Sequence, residues 1–362
     1  MIIQTEPFIN QSDSKILKKV IARKYVTEDK YTKIFENKIK SYTGSKYAIS
    51  VNNWTSGLYC CLKAFNIGPG DEVIVPNLTF IATSNAVLMT GATLVLCEVS
   101  QDDMCIDLKK LEKLINKKTK AVIPVHLYGN CCNMNGIVKL KKKYKFAIIE
   151  DAAQALGVRY KDKHVGNFGD CGGFSFYGNK IMTTGEGGIV VTNNKNLAKK
   201  IYKLKNHGRE KKGIFKHKSI GFNFMFTELQ AALGISQLNK LDKILKKRDS
   251  IFNFYQKNIK DKNKIKFHLN DKSIKPLHWF VNITANNISK IERELKKKGF
   301  QTRKLFYPLN LQPCYKNHKN VKNLNDDFKI SKKTYQNVLS LPTFHNIKKK
   351  DLKKICNLIN KF

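Results

Sequence analysis

A chain of 362 residues with 42% hydrophobic side chains can bury a sizeable core and suits two domains, or one large domain with a smaller companion. Its apolar runs stay short of the roughly 18 residues of a membrane-spanning helix, and Met1-Ile-Ile-Gln-Thr-Glu-Pro7 has no basic segment followed by an apolar one, so neither a span nor a secretory leader is expected. The formal net charge of +39 raises the question of nucleic-acid binding. However, only six of the 67 basic residues are arginine, at 23, 159, 209, 248, 293 and 303. Lysine runs such as Lys141-Lys142-Lys143 and Lys348-Lys349-Lys350 read as solvated faces, so the charge alone does not make a nucleic-acid partner. The nine cysteines include the adjacent pairs Cys60-Cys61 and Cys131-Cys132 and no Cys-x-x-Cys. That pattern fits reduced thiols in a cytoplasmic protein, not a disulfide framework or a zinc site.

In chain order, short apolar runs predict strands at Tyr47–Val51, Glu72–Val75, Thr93–Cys97, Ala121–Val125, Phe146–Glu150, Gly173–Phe176 and Ile189–Val191. Helical segments fall between several of them, as at Ser56–Phe65, where Leu58, Cys61, Leu62 and Phe65 share a face. Gly68-Pro-Gly70 is a turn leading into the second strand. Strands of this kind alternating with helices predict an α/β fold with a mostly parallel sheet. Thr227-Glu-Leu-Gln230 reads as a capping box opening one long helix to about Leu245. From about Ile251 the chain becomes lysine-rich with shorter elements, including 278–285 and 290–298. The expected organisation is a large domain over 1–250 and a smaller α+β domain over 251–362, with the N-terminal arm packing near the latter.

Four places have residue types that could do chemistry. Asp151 ends an apolar strand, where ligands bind in open α/β sheets. A carboxylate buried there needs a cationic partner, although Asp151 reads equally well as a helix N-cap. Lys180 lies between Gly173-Phe-Ser175-Phe-Tyr-Gly-Asn and Thr183-Thr-Gly-Glu-Gly-Gly188. A single lysine in so lysine-rich a chain is ordinarily a surface residue, but glycine turns let a bulky group approach the backbone. Asn53-Trp54-Thr55-Ser56-Gly57 sits between a strand and a helix, where free N–H groups and hydroxyls hold phosphate; ordinary capping is the plainer reading. Phe80 could lie flat on an aromatic ring or simply fill the core. A strand-end acid, a hydroxyl beside glycines and a lysine are together what pyridoxal 5′-phosphate (PLP) requires: the lysine for a Schiff base, the acid to hold the pyridinium proton.

Taken jointly, these segments resemble the DegT/DnrJ/EryC1/StrS family of PLP-dependent nucleotide-sugar aminotransferases. The resemblance runs from roughly Glu6 to the C-terminus through Gly44–Val51, Gly68–Pro76, Thr79–Ala82, Val125–Gly129, Glu150–Gln154, Phe174–Gly188, Asn206–Arg209, Gly221–Asn223 and Tyr307–Leu309. It implies fold type I, the aspartate-aminotransferase architecture, and a homodimer with shared active sites. It also implies residue roles. Lys180 joins the cofactor and moves the proton; Asp151 pairs with the pyridine nitrogen and Gln154 with the ring hydroxyl; Phe80 stacks on the ring. Ser175, Thr55 and Ser56 hold the phosphate, completed by Asn223 of the neighbouring subunit. Arg209, Arg303 and Lys304 are candidates for the substrate's diphosphate, with a surface role equally open for each, and Tyr307 and Asn310 are further substrate candidates. Trp54 stands where glycine is usual, Met225 where arginine is frequent and Asn310 where histidine is frequent. Lysine at 180 argues against the related sugar 3-dehydratases, which carry histidine there.

The stretch Phe174–Gly188 is most similar to that of the perosamine and viosamine synthases. The implied reaction moves the amino group of L-glutamate, through pyridoxamine phosphate, to C-4 of a nucleotide-linked 4-keto-6-deoxy sugar for glycan biosynthesis. Amination at C-3 and a non-catalytic, polyanion-binding relative remain the alternatives. The nucleotide carrier is not legible.

Overall fold

The computed structural model describes residues 1–210, 213–267, 274–275 and 277–362. Its strands in chain order are β1 (Tyr47–Val51), β2 (Glu72–Pro76), β3 (Thr93–Cys97), β4 (Thr119–Val122), β5 (Ala147–Asp151), β6 (Arg159–Tyr160), β7 (Lys163–His164), β8 (Cys171–Ser175), β9 (Gly188–Thr192), β10 (Lys266–Phe267), β11 (Ile274–Lys275), β12 (Val281–Thr284), β13 (Arg303–Lys304), β14 (Val321–Lys322) and β15 (Val338–Leu341). Eight of them form one sheet in the order β1-β9-β8-β5-β4-β2-β3-β14. The pairings from β14 through to β8 are parallel, and β9 runs antiparallel to both β8 and β1.

Successive strand residues point to opposite faces, so each central strand feeds two cores. Ile74, Val122, Ile148 and Val191 enter one core, with Phe35 and Ile39 of the helix Lys30–Thr43 and Met134 and Ile137 of the helix Met134–Tyr144. Val73, Val75, Ala121, Ile149 and Val190 enter the other, with Leu58, Cys61 and Leu62 of the helix Trp54–Ala64. Coverage on both sides is why these strands read as nearly continuous apolar runs. The β4 strand ends at Val122, ahead of the predicted Val125: Ile123 still donates to Ile74 O, but Pro124 has no N–H with which to continue the ladder. All nine cysteines are free thiols, eight of them buried.

The capping box at Thr227 and Gln230 is present in both directions. The helix it opens is shorter than predicted: it ends at Leu238, and a second helix runs Leu241–Asn258. At the break, Lys240 Nζ reaches Asp13 Oδ2 at 2.5 Å and Asn10 Oδ1 at 3.3 Å, contacts from the N-terminal arm that no local pattern reveals. The second helix crosses position 250. Leu241 and Ile244 pack in the first core, while Ile251, Phe252 and Tyr255 pack in a third one with Ile291, Leu339, Leu341 and Ile355. That third core backs the sheet β10-β12-β15-β13. The arm joins it through Ile2 N–H to Gly299 O and Gln301 N–H to Ile2 O. Residues 309–328 return to the large sheet, placing Leu309, Tyr315, Val321 and Phe328 in the second core and β14 beside β3.

Glu228 is fully buried and serves a helix other than its own. Its carboxylate accepts the N–H groups of Asp29, Tyr31 and Thr32 and the Thr32 hydroxyl at 2.8–2.9 Å. These include orphan donors at the start of the helix Lys30–Thr43, whose own N-cap, Asp29, makes no side-chain cap bond. Glu228→Ala should therefore lower stability by about 3–5 kcal/mol, since each stranded donor keeps its desolvation cost. The midpoint of urea unfolding reads this directly, and an unchanged midpoint would show that the bonds contribute nothing net.

Candidate active site

The parallel strands β2, β5 and β8 end around one cleft of ≈ 660 Å³. The β5 strand ends on Asp151 and β8 on Ser175, and the turn after β1 starts the helix Trp54–Ala64. Lys180, Asp151, Gln154, Phe80, Thr55, Ser56, Ser175 and Arg303 all line this cleft. Asn223, Arg209, Lys304, Tyr307 and Asn310 are not among its lining residues.

Asp151 is buried. Its Oδ1 accepts Trp54 Nε1–H at 2.8 Å and Ala153 N–H at 3.1 Å, and its Oδ2 accepts the Thr83 hydroxyl at 2.7 Å. Gln154 uses its carbonyl oxygen to accept Tyr128 N–H at 2.7 Å. Its amide NH₂ has no acceptor among the described residues, so Gln154 presents a donor. Phe80 touches Phe306, ring centroids 5.5 Å apart, and is 53% exposed, which leaves an open aromatic face.

The helix start supplies further donors. Asn53 caps it by accepting Ser56 N–H at 2.9 Å, leaving the N–H groups of Trp54 and Thr55 as orphans of the first turn. The Ser56 hydroxyl is committed locally, with Asn52 Oδ1 at 2.5 Å and Asn53 Oδ1 at 2.9 Å as acceptors. Thr55 and Ser175 keep their hydroxyls freer.

Lys180 is half-buried, and its Nζ lies 4.3 Å from the centre of the Trp279 ring. Burial pulls its ammonium down to about 8; Asp151 opposes the shift and Arg303 adds to it. The Trp279 indole N–H donates to Asn179 O at 2.8 Å, tying the lysine turn to a segment one hundred residues away. Two of the glycines of Thr183–Gly188 shape the turn itself. Gly185 has φ +82°, and a Cβ on Gly187 would sit 2.2 Å from Thr184 Oγ1.

Because a neutral amine is the nucleophile, uptake of a cofactor aldehyde by the apo-protein should accelerate as the pH rises through about 8 and level off above it. Stopped-flow absorbance tests this. A rate still climbing toward the ordinary lysine value of 10.5 would show that burial does not tune the amine.

The substrate candidates separate sharply. Arg303 and Lys304 are adjacent in β13, so their side chains diverge. Arg303 faces the cleft with no ion pair among the described residues, whereas Lys304 lies near Glu292 and over Tyr335. Tyr307 packs edge-on against Tyr335. Asn310 is held at both ends by Asn77: its N–H donates to Asn77 Oδ1 at 2.8 Å, and its Oδ1 accepts Asn77 Nδ2–H at 2.9 Å. Arg209 bonds Asn206, and Asn223 is exposed. Trp54, Thr83, Tyr177, Asn179, Glu186, Trp279 and Phe306 also line the cleft without having been singled out as site residues. One signal did exist: the chain has two tryptophans, and both are here.

These groups fit PLP on structural grounds. A buried carboxylate lines the cleft beside an amide donor, helix-start N–H groups and an aromatic face that are all without a polar or stacking partner among the described residues, Phe80 meeting Phe306 at a tilt. Asn179 Oδ1 is buried there with no partner among the described residues. The site and the sheet thus define a PLP-dependent aminotransferase of fold type I. A profile of the DegT/DnrJ/EryC1/StrS aminotransferase family matches residues 7–360. The chain is 36% identical over 334 residues to a GDP-perosamine synthase of Caulobacter vibrioides, covering 89% of this chain and 87% of that protein. It is 37% identical over 335 residues to a GDP-perosamine synthase of Escherichia coli O157:H7, covering 92% and 90%. Its fold matches that of a Helicobacter pylori aminotransferase involved in the biosynthesis of pseudoaminic acid with a TM-score of 0.91, at 31% identity and over 99% and 98% of the two chains. The protein belongs to the DegT/DnrJ/EryC1/StrS aminotransferase family and is an enzyme. No helix among the described residues is long and apolar enough to cross a membrane.

Proposed function

We propose that the enzyme transfers the amino group of L-glutamate to C-4 of a nucleotide-linked 4-keto-6-deoxy sugar, giving a perosamine- or viosamine-type product for glycan biosynthesis in the cytoplasm. The observation that carries the reading is the lysine of lowered proton affinity, Lys180, in one cleft with the hydrogen-bonded carboxylate of Asp151. Bound there, PLP supplies an electron sink for the pair released when a C–H bond beside nitrogen breaks.

Asp151 would accept the ring N–H, and Gln154 would donate its amide N–H to the ring hydroxyl oxygen. Thr55, Ser175 and the N–H groups of Trp54 and Thr55 would hold the phosphate, with Ser56 keeping the turn in shape. Phe80 would cover one ring face and exclude water from it. Lys180 Nζ takes the proton from the donor's α-carbon and delivers one to the sugar carbon that receives nitrogen, as general base and then general acid. Glutamate leaves as 2-oxoglutarate. Arg303, a cleft guanidinium with no ion pair among the described residues, takes a carboxylate or phosphate group of a substrate.

Asn223 sits on a segment with Phe215 and Ile220, each 84% exposed, outside its own chain's cleft. A second copy of the chain would cover that apolar surface and receive Asn223 at its phosphate site. The similarity to the GDP-perosamine synthases and the stretch Phe174–Gly188 support C-4.

The test is to supply PLP, L-glutamate and a panel of nucleotide-linked 4-keto and 3-keto sugars, and to locate the amine by mass spectrometry and NMR. An amine at C-4 is the expected product. An amine at C-3 would move the regiochemistry, and no amine with any sugar would overturn the reading.

A further inference from the structure

Trp54 lines the cleft, and its indole N–H is directed onto Asp151. We infer that Trp54 is a positioning residue: its indole N–H saturates Oδ1 of Asp151 and so leaves Oδ2 as the atom that receives the cofactor's ring N–H. The inference rests on the PLP reading above and concerns how this chain's carboxylate is aimed.

The hydrogen-bond count carries the argument. A carboxylate offers about four lone-pair sites, two on each oxygen. On Asp151, Oδ1 takes Trp54 Nε1–H at 2.8 Å and Ala153 N–H at 3.1 Å, which fills it. Among the described residues Oδ2 takes only the Thr83 hydroxyl at 2.7 Å, so one site remains on Oδ2 of a carboxylate that lines the cleft. Trp54 and Asp151 are both buried, so losing the indole donor leaves Oδ1 short of a partner at a desolvation cost.

The indole is held in place by missing side chains. A Cβ on Gly57 would lie 2.6 Å from Trp54 Cε3, and one on Gly173 would lie 2.1 Å from Trp54 Cζ3. Glycine at both positions opens the slot the ring occupies. Thr83 is itself backed by Thr79, hydroxyl to hydroxyl at 3.4 Å. Asp151 is thus clamped from the helix Trp54–Ala64 on one side and from the helix Ala82–Met89 on the other.

Trp54→Phe removes the N–H and keeps most of the apolar fill. Gly57→Ala leaves Trp54 intact but pushes its ring, since Trp54 side-chain atoms are the closest contacts at that site. Two quantities are read on the cofactor-loaded protein: the pH midpoint at which the visible absorbance of the lysine-bound cofactor titrates, and kcat against KM for L-glutamate. With Asp151 poorly aimed, the ring nitrogen would hold its proton less tightly, and positive charge would be reduced in the surroundings of the Lys180 nitrogen. Losing a like charge raises proton affinity, so the midpoint should move up by about one unit, the size of one such hydrogen bond. The charged groups around that nitrogen, Asp151 and Arg303, remain in both variants.

We expect kcat to fall about tenfold in Trp54→Phe, on the scale seen when the partner behind a ligand is removed, with KM unchanged. Gly57→Ala should move both quantities the same way by less. Wild-type midpoint and kcat in Trp54→Phe would overturn the inference while leaving the PLP reading intact. If Trp54→Phe does not fold, a wild-type midpoint and kcat in Gly57→Ala overturn it instead. A wild-type protein that never shows the visible band would sink the PLP reading itself.

Discussion

Lys180→Ala should lose turnover by about 10⁴-fold or more, since general acid–base transfer alone accounts for up to that factor and the nucleophile goes with it. The other groups that grip the cofactor are independent of Lys180. Asp151 is held by Trp54, Thr83 and Ala153, Gln154 by Tyr128, and the helix start by Asn53. The variant should therefore still bind the cofactor noncovalently, with the phosphate and ring contacts intact and no lysine-dependent visible band. Equilibrium dialysis with single-turnover kinetics separates the two effects. Near-wild-type turnover in Lys180→Ala would remove the claim that this lysine carries the chemistry.

Asp151→Asn should bind the cofactor and still fail, by about 10²-fold in kcat. The substitution preserves shape, and its neighbours can adapt. The amide oxygen can keep the Trp54 and Ala153 donors, and the Thr83 hydroxyl can reverse to accept from the amide nitrogen. What changes is the group facing the ring: an acceptor becomes an N–H donor, which favours an unprotonated ring nitrogen and weakens the electron sink. A charge-assisted hydrogen bond is worth about 2–3 kcal/mol, which matches a hundredfold. Steady-state kinetics of the loaded variant, with KM for L-glutamate as the control on binding, measures the effect. Full kcat in Asp151→Asn would mean that the ring nitrogen needs no anionic partner.

Much of this site was legible because it lies at strand ends. Apolar runs located the ends of β5 and β8 to within a residue, and a charged or hydroxyl residue there has one place to point. The helix after β1 is expected from Ser56; it starts two residues earlier, at Trp54, because the Asn53 side chain caps it by accepting Ser56 N–H.

The parts that were not legible depend on partners far along the chain. The break at Asn239-Lys240 has no proline or glycine, and the apolar phase continues through Leu241 and Ile244; a lysine reaching the N-terminal arm makes the difference. Trp279 meets Lys180 from a segment of different composition. Trp54 reads as a cap-side residue in sequence, yet it occupies a slot made by Gly57 and Gly173, one neighbouring and one remote. Of the substrate candidates, strand alternation in β13 sends Arg303 to the cleft and Lys304 away. Asn310 is spent on Asn77, a pairing across more than two hundred residues.

The most direct test of the central claim is an absorbance spectrum of the purified protein with PLP, before and after L-glutamate. The account predicts a visible band in the wild type, absent in Lys180→Ala, that moves to shorter wavelength on addition of glutamate as the amino group passes to the cofactor. A protein that stays colourless with added PLP, or a band that glutamate leaves unchanged, would contradict it.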